Sequence, residues 1–189
     1  MDTSKEKIKI HTEGTPNPNA LKFVVDRILI ENGSLNFPNK EKSKDSPLAS
    51  RLFEIEEVKE VFIGKDFITI SKNENVSWDN IYEKLIRVIN NHFDSGEQLI
   101  IKKDDNVKES QKSMSDVEQR IFEILDNQIR PAVASDGGDV IFDSYKDGIL
   151  KLHLQGSCSH CPSSIMTLKA GIESMLKRQI PELKEVISA

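Results

Sequence analysis

The chain has 189 residues, 37% of them hydrophobic and 30% charged, with a formal net charge of −5. Lys and Arg number 10 against 12 Asp and Glu in residues 108–189, and 16 against 19 in residues 1–107. Neither part is basic, which argues against nucleic acid and anionic membrane as partners, and no apolar run reaches the roughly 20 residues of a membrane span.

The first elements lie in "IKIHTEGTPNPNALKFVV". Ile8 and Ile10 alternate with polar residues, as do Leu21, Phe23 and Val25, so two strands are expected, with Pro16 and Pro18 stiffening the connection. "TPNPN" reads equally as a rigid turn and as a recognition surface. The polar run 39–46 reads as a loop within the first domain. Ser46 before Pro47 marks a helix start, with Leu48, Leu52 and Ile55 on one face. "EVFIGKDFITI" reads as a hairpin turning at Gly64, Lys65 and Asp66. Trp78, Ile81, Leu85, Val88, Ile89 and His92 recur at helical spacing, between a Ser77 cap and Gly96.

Residues 102–114 carry one valine and one methionine among polar and charged residues. Such a segment buries too little surface to order itself and reads as a flexible polar linker. The expected division is therefore a domain at 1–101, a linker at 102–114 and a second domain at 115–189. The expected fold class is α+β: two small two-layer α/β domains.

The second domain opens with Ser115 and Glu118 at capping-box spacing. Val117, Ile121, Ile124, Leu125 and Gln128 share a stripe, and Pro131 is expected to end that helix. Asp136, Gly137, Gly138 and Asp139 read as a turn, although the two glycines also suit a close backbone approach. Lys146, Asp147 and Gly148 join two strands. In the second of these, Leu150, Leu152 and Leu154 face opposite to Lys151, His153 and Gln155. Pro162 suits the first position of a helix carried by Ile165, Leu168, Ile172, Met175 and Leu176, and "LKEVI" is a final strand. The order is α-β-β-α-β.

Between the last strand of the hairpin and that helix lies "GSCSHCPSSIM", which holds both cysteines of the chain, Cys158 and Cys161. Two cysteines make no disulfide framework, and a CxxC in a reducing compartment points to metal or redox chemistry. A helix N-terminus favours the thiolate, the form that binds soft metals and attacks disulfides. The site is expected at the surface. A thiol-disulfide oxidoreductase fits the strand–helix position but lacks a preceding βαβ unit. A metal site needs four ligands. His160 sits inside the motif, where its ring and both thiolates converge poorly, and His153 reads as solvent-facing. Two chains each supplying one CxxC at a two-fold axis complete the shell. A zinc-bridged interaction module stays open on the same donors.

"GSCSHCPSSIMTLKAGIESMLKRQIPELKEV", with "DGGDV" upstream, resembles the C-terminal domain of NifU, also called the Nfu domain. "TPNPNALKF", "SPLASRLFEIEEVKEVFIGKDFITI" and the later Trp-containing helix resemble the Nfu N-terminal domain. The resemblance implies an iron–sulfur cluster carrier or scaffold, not an enzyme. It implies one 4Fe–4S cluster per homodimer, with Cys158 and Cys161 as ligands. It also implies an upstream cluster donor and apo client proteins as partners. "MDTSKEKIKI" has neither a signal-peptide core nor an Arg-rich presequence. The expected location is the bacterial cytoplasm, or the mitochondrial matrix once a presequence is gone.

Overall fold

The computed structural model describes residues 7–101, 114–159 and 162–188. The chain divides into two compact units, Met1–Asp105 and Asn106–Ala189. Of the expected linker at 102–114, all but Met114 lies outside the described residues.

In the first unit, strands β1 (Ile10–Gly14), β2 (Ala20–Val25), β3 (Leu35–Phe37), β4 (Val58–Ile63) and β5 (Phe67–Lys72) form one antiparallel sheet. Its order is β1-β2-β5-β4-β3. Helices α1 (Pro47–Leu52) and α2 (Trp78–Ser95) supply Leu48, Leu52, Ile81, Leu85 and Ile89 to a core shared with Phe23, Val61, Ile63, Ile68 and Ile70. Each such side chain removed from water stabilises the fold by about 1.5–3 kcal/mol. The Ser46 hydroxyl accepts from the Ala49 N–H, and Gly96 closes α2 in the left-handed region at φ 71°. Ser77 precedes α2 without capping it through its side chain.

Two elements of this unit differ from expectation. Lys40–Asp45 is a 3-10 helix rather than loop, because the Asn39 side chain accepts from the Lys42 N–H and caps it. Leu35–Phe37 is a strand that three residues cannot announce by alternation; its pairing with β4 makes it one. The "TPNPN" segment is a rigid turn. Asn17 Oδ1 accepts from the Asn19 N–H at 2.9 Å, and the Trp78 indole donates to the Pro18 carbonyl at 3.1 Å.

The second unit begins with α3 (Asp116–Ile124), whose capping box between Ser115 and Glu118 is complete. Pro131 does not end the helix. A π-helical segment, Leu125–Ile129, leads into α4 (Arg130–Ser135), and the Arg130 N–H donates to the Leu125 carbonyl. The wider turn takes up the proline where a regular α-helix would suffer a clash and a missing hydrogen bond.

Strands β6 (Gly138–Lys146) and β7 (Ile149–Gly156) form an antiparallel hairpin, so Gly138 and Asp139 belong to a strand rather than a turn. Asp147 and Gly148 turn it at φ 54° and 86°, the geometry of a tight two-residue hairpin loop. After β7 the chain passes through α5 (Pro162–Gln179) to β8 (Glu185–Ser188), which pairs parallel to β7. Leu150 and Leu152 face a core with Ile121, Ile129, Ile172, Leu176 and Val186. Met175, expected on that face, is 37% exposed. The α+β architecture read from the sequence is the one found.

Candidate metal centre

Cys158 follows β7, in the turn that leads towards α5. It is 4% exposed and belongs to the apolar core, not to the surface where its polar neighbours in sequence would place it. The reason is a second segment, residues 136–139, which lies against the turn. The Ser157 N–H donates to the Gly137 carbonyl at 3.2 Å, and the Ser157 hydroxyl donates to the Asp136 carbonyl. Within the turn, the Ser159 N–H and hydroxyl both reach the Gly156 carbonyl, at 3.1 and 2.8 Å. Ser157 Oγ stands 3.6 Å from Cys158 Sγ.

Gly138 pairs with Gly156 across the hairpin, and its open α-carbon leaves room for the cysteine sulfur. The close-approach reading of that glycine is therefore the one the fold uses. Gly137 and Gly156 also take left-handed backbone, at φ 82° and 71°, where other residues are strained. One residue on, Asp139 is 6% exposed and is gripped by both arms of the Arg130 guanidinium, each at 2.9 Å.

His153 is exposed, and its Nε2 stands 3.0 Å from Asp143 Oδ1. The Ser144 hydroxyl first, then His153, hold the Asp143 carboxyl below the usual carboxylate range. His160 and Cys161 lie outside the described residues. Among the described residues, no group of three or more His, Cys, Asp or Glu side chains could hold a metal ion. The donor set in view is one soft thiol sulfur, which suits iron or zinc but fills only part of either shell.

Sequence reasoning missed Ser157, Arg130 and Asp139. Only the Asp-Gly-Gly-Asp run at 136–139 hinted at the last. Nothing in the spacing of Arg130 and Asp139 ties a helix to a strand.

Fold and site together define a two-domain α+β protein whose second domain ends its hairpin in a turn that carries Cys158. Residues 10–96 match the model of the scaffold protein Nfu/NifU N-terminal domain, and residues 121–187 match that of the NifU-like domain. Over 178 residues the chain is 44% identical to the human "NFU1 iron-sulfur cluster scaffold homolog, mitochondrial", covering 94% of this chain and 70% of that protein. The protein of the same name from Drosophila persimilis is 43% identical, covering 96% of this chain and 65% of that one. The solution structure of a NifU-like protein from Saccharomyces cerevisiae covers 55% of this chain and 92% of its own, at 31% identity and a TM-score of 0.48. The chain belongs to the Nfu/NifU family of scaffold proteins.

Proposed function

We propose that this chain carries iron–sulfur clusters without catalytic turnover. It takes a 4Fe–4S cluster from an upstream donor, holds it between two copies of itself and passes it to apo client proteins. Cys158 and Cys161 of each copy are the ligands. The observation that carries this reading is the placement of Cys158 in a turn braced by Asp136, Gly137 and Gly138, in a chain with two cysteines in all. Two thiolates per chain need a second chain to reach the four that such a cluster takes. The names of the relatives support the cargo and favour the mitochondrial matrix over a bacterial cytoplasm.

The experiment is anaerobic purification with iron and sulfide analysis and sedimentation on one sample. The expected result is a brown dimer with about two irons and two sulfides per chain. Oxygen or a chelator should bleach the sample and return it to monomer together. A brown monomer with full iron would overturn the shared site. A colourless protein that turns over disulfides, or a dimer holding zinc, would replace the carrier by one of its two rivals.

A further inference from the structure

We propose that Arg130 is a positioning residue for Cys158: with Asp139 it clamps the strand start that shelters the thiol, and so sets how readily that thiol reaches a cluster. This rests on the reading of Cys158 as a ligand.

Among the described residues, backbone groups of one short segment brace the Cys158 turn from outside it. The carbonyls of Asp136 and Gly137 hold Ser157, and Gly138 lies against the Cys158 sulfur. Asp139 anchors that segment to the helix. Arg130 Nε and Nη2 donate to its two carboxylate oxygens at 2.9 Å each, while Nη1 donates to Asp126 at 3.0 Å. The Asp139 side chain is 8% exposed, and its Oδ1 also accepts from the Val140 N–H at 2.8 Å. A lysine could not replace the fork, because an ammonium offers no planar pair of donors.

A thiol that is 4% exposed cannot ligate a cluster shared with a second chain until its turn swings outward. Gly137 and Gly156, both left-handed, flank the contact between the two segments. Arg130 opposes that movement by fixing the segment against which the turn closes.

The test uses the full-length, reduced apo protein and iodoacetamide, with fragmentation mass spectrometry to separate Cys158 from Cys161. In Arg130→Met, Cys158 should alkylate about tenfold faster or more, because local opening is eased. Asp139→Asn should do the same, and it carries the test if Arg130→Met does not fold. The double variant should be no faster than either single, since both remove one interaction. Arg130→Lys should fall between. The control is Leu183→Ala, a buried residue beside Gly148 at the opposite end of β7. Matched to the same loss of melting temperature, it should leave the rate within about threefold.

An unchanged rate in Arg130→Met, or a rise no larger than that of the control, would overturn the clamp. The second readout is the rate of iron and sulfide loading, which should change in step with alkylation across the series. Unaltered loading despite faster alkylation would overturn the positioning role. Failure of the ligand reading shows separately, as full iron in Cys158→Ser whatever is done to Arg130.

Discussion

Gly138 lies against Cys158: a Cβ built on Gly138 would stand 3.2 Å from the cysteine sulfur and 2.5 Å from the Gln155 backbone oxygen. The first contact is tight and could be eased by a small shift of the thiol. The second is with backbone and cannot be eased without parting β6 from β7.

Gly138→Ala should therefore destabilise the second domain by about 1–3 kcal/mol, the usual cost of overpacking. It should also speed iron loading, because the displaced strand start is the one that holds the cysteine turn closed. Thermal denaturation and iron analysis of the same preparation check this. An unchanged melting temperature would mean that the strands separate without cost at this end.

Cys158→Ser should abolish stable iron binding and should also weaken the apo fold. The sulfur is buried among apolar groups, and a hydroxyl there costs about 1–3 kcal/mol unless it finds a partner. Cys158→Ala should lose iron equally. His160→Ala should keep iron, because four thiolates from two chains complete the shell without it. Iron content together with circular dichroism decides the matter: full iron in either Cys158 variant removes it from the ligand set, and loss of iron in His160→Ala with the fold intact brings the imidazole in.

His92 predicts a pH dependence in the first domain. Its side chain is fully buried, neither ring nitrogen has a hydrogen-bond partner, and Nδ1 stands 3.9 Å from Glu97 Oε2. Burial pushes its pKa below the ordinary 6.5; Glu97 works against that shift and Arg51 adds to it. The unfolded chain thus binds a proton more readily than the folded one. Stability from the neutral ring is fully present above pH 6.5 and is lost as pH falls from there through the lower folded-state value. The single tryptophan, Trp78, lies at the start of α2 and reports this domain by fluorescence. Its unfolding midpoint should drop as pH falls below 6.5. His92→Leu should flatten that dependence without lowering the midpoint at neutral pH, since it removes two unsatisfied buried nitrogens. An equal slope in the variant would assign the effect to other groups.

Much of this molecule was legible as sequence wherever the cause is local. The capping box at Ser115 and Glu118, the hairpin turn at Asp147 and Gly148 and the alternation of Leu150 and Leu152 are each decided by residues a few positions apart. So is the start of α5 at Pro162. The helix running past Pro131 was not legible, because the π-helical turn that takes up the proline is a choice among backbone hydrogen bonds that no residue announces. Nor was β3, which exists through its pairing with β4.

The same division runs through the site. The sequence alone determined that these residues carry two thiols in a CxxC, the count on which the proposal of a second chain rests. Only the tertiary structure decided that Cys158 is buried. Glycine, serine and proline around it spell a surface loop. Burial comes instead from Gly138, which offers no side chain to keep the sulfur out, and from Arg130, which holds that strand in place through Asp139. These contacts join separate stretches of chain, and their energy appears only once β6, β7 and the helix preceding them have packed.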